Sequence, residues 1–269
     1  WKNDIVARSG GNGGDVMDFF TIYSTTPFIM PTGDPVKKPA DGENTDTAIY
    51  VLSRVAGEGA DRNAAKGDYY LKDDEHQMLS DLCTYYKNVI VAVNAGGQVD
   101  LSFMDEFANI KALLVIVQPG MEGGNAFADV ISGKVNPSGK LVDSWAYKYE
   151  DYPSAATFSH NNGNVEKELY EEGIYVGYRY FDTFNVPVRY GFGYGLSYTT
   201  FAFENEKIEL VRKNNNNNDK IRTTVSVKNT GSVAGKEVVQ VYASLPGGVM
   251  EKETHRLVAY GKTELLQPG

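Results

Sequence analysis

Asn88–Gly96 reads NVIVAVNAG, an unbroken apolar run from Val89 to Val93 with no polar alternation. Such a run suits a strand covered on both faces, the environment of a parallel sheet. ALLVIVQPG at Ala112–Gly120 has the same character, and TAIYVLSRV at Thr47–Val55 reads as a buried strand upstream. Between Thr47–Val55 and Asn88–Gly96, DDEHQMLSDLCTYY places Met78, Leu79, Leu82, Cys83 and Tyr86 on one helical face, with Asp74 and Gln77 fitting a capping box. Ser102 is expected to cap a short helical stretch through Phe107. GGNAFADVISG carries a stripe at Ala126, Phe127, Val130 and Ile131 that ends at Gly133. Repeated strand and helix units predict a layered α/β sandwich with a mostly parallel sheet.

Working outward, the chain changes character twice. Residues 1–46 form an irregular lead-in, with a glycine-rich loop at Ser9–Asp15 and prolines at 27, 31, 35 and 39. The α/β domain is expected over 47–200, closing in an aromatic segment from about Tyr147 to Phe203. In that segment Tyr175, Tyr178, Tyr180 and Phe181 are expected to pack between domains. From 201 to 269 the period becomes two: Ile221, Thr223, Val225 and Val227 alternate within IRTTVSVKNTG, and GKEVVQVYASLPG and HRLVAYGKTELL follow as further strands. Roughly 70 residues, against the approximately 100 of a complete domain, predict an incomplete immunoglobulin or fibronectin III-like β-sandwich. Asn214–Asn218 is a polar turn between its strands.

Composition narrows the function. The 269 residues carry 26 Lys+Arg against 35 Asp+Glu, a net charge of -9, which disfavours a nucleic-acid partner. One cysteine, Cys83, excludes an internal disulfide and a cysteine-built metal site. The longest apolar run, Ala112–Val117, is far short of the roughly 20 residues of a membrane span, so a soluble chain is expected. The opening WKNDIVARSGGNGGD holds no apolar signal-peptide core, which leaves the compartment unassigned. Neither a dinucleotide fingerprint nor a P-loop is present, which weakens a nucleotide-dependent reading. No cofactor and no metal are expected. With three scattered histidines, His76, His160 and His255, catalysis falls to carboxylates.

Four blocks occur in one order: AGEGADRN at 56–63, VQPGMEGGNAFADVISGKVNPSGKL at 117–141, YEEGIYVGYRYFDT at 170–183 and YGFGYGLSYTTF at 190–201. With GSVAGKEVVQVY at 231–242, they resemble glycoside hydrolase family 3, the β-glucosidase family, over roughly residues 47–269. The resemblance implies a retaining glycosidase that acts on a small β-glucoside or oligosaccharide. It also implies that the nucleophilic aspartate belongs to a (β/α)8 barrel domain for which this chain has no room. Both ends look cut, and the chain alone is expected to be inactive without that barrel.

On this resemblance Glu58 is the acid/base carboxyl; Gly57 and Gly59 fit a loop that needs backbone freedom, and Asp61 and Arg62 are expected to form a buried ion pair that fixes the loop, with direct sugar contact the less favoured alternative. A protonated carboxyl beside the glycosidic oxygen is what the chemistry needs, with a second carboxylate only about 5 to 5.5 Å away. Glu122 and the aromatic block are read as architecture. The competing reading is a noncatalytic carbohydrate-binding or structural module.

Overall fold

The structure, a computed structural model, describes residues 35–40, 45–55, 61–212 and 219–269. Gly57, Glu58, Gly59, the Ser9–Asp15 loop and Asn214–Asn218 lie outside the described residues. Two compact units divide the chain: the first holds residues up to 123 with 147–149 and 155–168, the second 124–146, 150–154 and 169–269.

The first unit is built on a three-stranded sheet of order β1-β2-β3, with β1 at Thr47–Ser53, β2 at Asn88–Asn94 and β3 at Ile110–Val115. Both pairings are parallel. Parallel strands need a crossover, and helix α1 (Asp73–Tyr85) supplies it between β1 and β2. The unbroken apolar run falls on the central strand, where Val89, Val91, Ala92 and Val93 are all fully buried. Strand β1, at one edge of the sheet among the described residues, is covered on one face only. Tyr50 and Leu52 are buried, whereas Ile49 and Val51 on the opposite side are 46% and 47% exposed.

Helix α1 packs Leu79 and Leu82 inward, as its spacing predicts, and also buries Glu75. Its start differs from the expected Asp74 and Gln77 box. Lys72 is the N-cap residue, and the Glu75 carboxylate accepts its backbone N–H at 2.9 Å. At the other end Asn109 donates to the carbonyls of Cys83 and Tyr86 at 2.7 and 2.9 Å, satisfying groups that a helix terminus leaves open. Helix α2 (Phe103–Glu106) begins after Ser102, but the serine hydroxyl bonds the Asp100 carboxylate at 2.5 Å and makes no cap.

The second unit contains α3 (Gly123–Ile131), β4 (Trp145–Ala146), α4 (Tyr178–Phe184), β5 (Val188–Tyr190) and two antiparallel hairpins. The hairpins pair β6 (Phe201–Val211) with β7 (Lys220–Asn229), and β8 (Val238–Ala243) with β9 (Arg256–Lys262). They resemble part of an immunoglobulin or fibronectin III-like sandwich, so the fold is α/β followed by antiparallel β structure.

Sequence blocks far apart in the chain meet inside this unit. Asn136, in the NPSGK turn, donates to the Ala234 carbonyl at 3.0 Å and accepts from Ser197 Oγ and the Tyr198 N–H at 3.0 and 2.9 Å. Lys140 pairs with Glu237 at 2.8 Å and donates to the Gly195 carbonyl at 2.7 Å. Tyr178 lies against Phe192, Tyr242 and His255, with centroids 5.1, 5.7 and 5.9 Å away, and its hydroxyl accepts the Leu257 N–H at 2.8 Å. Phe181 is buried against Tyr152 and Tyr180. Among the described residues no helix is long and apolar enough to cross a membrane.

Candidate functional site

The AGEGADRN block leaves the carboxyl end of β1, the edge of an open α/β sheet where ligands are usually bound. Glu58 stands midway in sequence between two arginines, Arg54 and Arg62. The upstream stem carries Arg54, whose guanidinium has five N–H donors in a fixed fork. All five have acceptors. Nε donates to the Asp68 carbonyl at 2.6 Å, Nη1 to the Ser53 carbonyl at 2.8 Å and Glu75 Oε1 at 2.8 Å, and Nη2 to the Tyr70 carbonyl at 3.2 Å and Glu75 Oε2 at 2.8 Å. The two side chains of this ion pair are 2% and 4% exposed. A buried charge pair persists only when its remaining protons and lone pairs are also satisfied, as they are here. Tyr50, buried beside it, has its phenol pushed well above the ordinary value, first by burial and then by the Glu75 charge.

The downstream stem carries Arg62. Its partner is Asp68, and not the neighbouring Asp61 that the sequence suggests. Arg62 Nε meets Asp68 Oδ1 at 2.6 Å, Nη2 donates to the Asp68 carbonyl at 2.9 Å, and Nη1 donates to the Gln98 carbonyl at 2.6 Å. The pair is half-buried, with side chains 21% and 25% exposed, while Asp61 is exposed. The reason is geometric. Asp61 is next to Arg62 in sequence but turned to solvent, whereas the 63–70 turn brings Asp68 back onto Arg62. Gly67, at φ 87°, permits that turn. Asp68 Oδ2 also accepts the Asn63 N–H at 2.5 Å.

The loop after β2 completes the frame. Gln98 supplies a carbonyl to Arg62, and a Cβ on Gly97 would lie 3.1 Å from Arg62 Nη1, so the guanidinium lies closely over this backbone. Asp100 N–H donates to the Tyr69 carbonyl at 2.8 Å, and the Tyr69 ring packs edge-on against Tyr70 and Tyr149. Sequence reading identified Arg62 but missed Arg54, Asp68 and Glu75. The available signals were an arginine closing a buried strand and a glutamate on the inward side of an amphipathic helix.

The VQPGMEGG block follows β3 and has an architectural explanation. A Cβ on Gly123 would lie 2.4 Å from the Pro119 ring, so glycine is needed where α3 begins. Glu122 is exposed. Among the described residues no group of three or more His, Cys, Asp or Glu side chains is arranged to hold a metal ion.

A model of the glycosyl hydrolase family 3 C-terminal domain matches residues 33–178. Beta-glucosidase A of Butyrivibrio fibrisolvens is 40% identical over 87% of this chain and 33% of its own length. A beta-glucosidase of Ruminococcus albus is 41% identical over 89% of this chain and 24% of its own. Among solved structures, beta-glucosidase 3B of Thermotoga neapolitana in complex with glucose superposes with a TM-score of 0.76 at 41% identity, covering 83% of this chain and 31% of that one. A beta-glucosidase of Paenibacillus barengoltzii gives 0.78 at 42% identity, over 84% and 24%. The chain thus spans between about a quarter and a third of the length of these relatives.

Proposed function

Because this chain belongs to glycosyl hydrolase family 3, we propose that it is the α/β and β-sandwich part of a retaining β-glycosidase that releases terminal β-linked glucose from small glucosides. Glu58 is its acid/base group. A (β/α)8 barrel domain of the same enzyme supplies the nucleophilic aspartate and most of the sugar pocket. The observation that supports this reading is the frame around the AGEGADRN block: Arg54 before the loop and Arg62 after it are both fixed on Asp68.

In the first half-reaction the barrel aspartate attacks the anomeric carbon while the Glu58 carboxyl gives its proton to the departing glycosidic oxygen. A covalent glycosyl-enzyme and a free alcohol result. In the second, the Glu58 carboxylate takes a proton from water as that water attacks the same carbon, releasing glucose and restoring both groups. The two carboxyl groups must stand about 5 to 5.5 Å apart, so Glu58 acts only with the barrel in place. The Arg54 and Arg62 forks hold the ends of its loop and take no part in bond making.

The test is turnover of an aryl β-glucoside by the parent enzyme with Glu58 intact and with Glu58→Ala. General acid–base assistance is worth about 10²- to 10⁴-fold, so a fall in that range is expected, with partial recovery and a glucosyl azide product when azide is added. Unchanged turnover without azide would exclude Glu58 from the role. No hydrolysis of any β-glucoside by the intact parent enzyme would favour the noncatalytic carbohydrate-binding module.

A further inference from the structure

A general acid must hold its proton within hydrogen-bond reach of the leaving oxygen, and loops hold such geometry less precisely than strands or helices. Glu58 comes four residues after Arg54 and four before Arg62, so its placement depends on how those two arginines are held. One residue is bonded to both of them. Asp68 gives its carbonyl to Arg54 Nε at 2.6 Å and to Arg62 Nη2 at 2.9 Å, and its carboxylate to Arg62 Nε at 2.6 Å and the Asn63 N–H at 2.5 Å. Arg54 is in turn anchored by the buried, bidentate Glu75 of helix α1. A continuous series of charge-assisted bonds therefore runs from α1 through the end of β1 to the residues that close the loop.

We infer that Asp68 is a positioning residue for acid catalysis: it fixes the separation and orientation of the two loop stems, and so determines whether the loop carboxyl reaches the leaving oxygen. This rests on the acid/base reading of Glu58. The amide in Asp68→Asn keeps the shape and the main-chain carbonyl. It removes the charge that holds Arg62, and it presents an NH2 group either to the guanidinium or to the Asn63 N–H.

A positioning role leaves a signature that general loss of structure does not. Phenyl β-glucoside needs a proton on its departing oxygen, whereas dinitrophenyl β-glucoside expels a stable phenolate without one. In the parent enzyme, Asp68→Asn is expected to lower kcat/KM for the phenyl glucoside by about tenfold or more and to change that for the dinitrophenyl glucoside by less than about twofold. Arg62→Lys, which keeps a charge for Asp68 but loses the fork to the Asp68 and Gln98 carbonyls, is expected to show the same bias. It also serves if Asp68→Asn fails to fold. Equal losses on both substrates, or no loss on either, would overturn the inference even where Glu58→Ala shows the strong leaving-group dependence of an acid. If Glu58→Ala shows no such dependence, the acid/base reading itself fails and the role of Asp68 falls with it.

Discussion

Arg54 and Arg62 donate to the same acceptor, the backbone carbonyl of Asp68, from 2.6 and 2.9 Å. They are eight positions apart in sequence, on either side of the GEGA segment, so this shared oxygen fixes how the two residues flanking that segment stand to each other. A single lone-pair-bearing atom can serve both because each arginine directs only one N–H at it and disposes of its other donors elsewhere. Both flanking arginines are therefore held on one oxygen, and Arg54 also belongs to a buried ion pair.

Truncating that pair is expected to be costly. Glu75→Ala would leave the Arg54 guanidinium buried without its counter-charge and remove the acceptor of the Lys72 N–H, a loss of about 3 to 5 kcal/mol in urea unfolding followed by far-UV circular dichroism. The double substitution Arg54→Met with Glu75→Leu should recover much of this, because it also removes the desolvated charges. A double mutant as unstable as the sum of both singles would show that the pair has no coupling of its own. On the acid/base reading, the double mutant should nevertheless lose activity, since Asp68 then holds only Arg62.

These residues also mark the limit of sequence reading. Continuous apolar runs and a helical stripe were sufficient for the parallel sheet, and period-two alternation was sufficient for the hairpins, because both patterns are local. The apolar run of β2 is indeed the central strand, whereas the edge position of β1 depended on strand order, which no local pattern encodes. The Arg62 partner was misplaced for a similar reason. Asp61 is adjacent in sequence, but Asp68 is adjacent in space, through a turn that requires Gly67 in a left-handed conformation. Glu75 lies on the inward side of its helix, and the arrival of Arg54 from the preceding strand makes its burial tolerable.

In the second unit Asn229 offers a sharper stability test. Its side chain is 1% exposed and every hydrogen-bonding direction is used. Oδ1 accepts from Thr199 Oγ1 at 2.7 Å and the Gly231 N–H at 3.1 Å, while Nδ2 donates to the Val233 and Leu266 carbonyls at 2.8 and 2.9 Å. It thus ties the end of β7 to the segment beyond β9. Asn229→Leu leaves four polar groups without this partner, and at about 1 to 3 kcal/mol for each one left unsatisfied a loss of at least about 3 kcal/mol is expected in the same unfolding measurement. Asn229→Asp should also destabilise, because it turns two donors into acceptors facing carbonyl oxygens. A loss below about 1 kcal/mol for Asn229→Leu would show that water replaces the bonds.

The same unit carries an acid-sensitive group. The hydrogen bond from Arg256 is the largest influence on the Glu253 carboxyl, with a further bond to its own backbone, and together they lower it from 4.5 to about 2. A carboxyl whose folded value lies below its unfolded one binds fewer protons in the folded state between those two values. Its contribution is therefore complete above about pH 4.5 and disappears as the pH falls toward about 2. Urea midpoints measured at intervals through that window should fall with pH in the unaltered chain. In Glu253→Gln, which cannot ionise, the fall should be shallower, and stability at neutral pH should be lower because the ion pair is gone. Parallel midpoint curves for the two proteins would show that other carboxylates govern the acid transition.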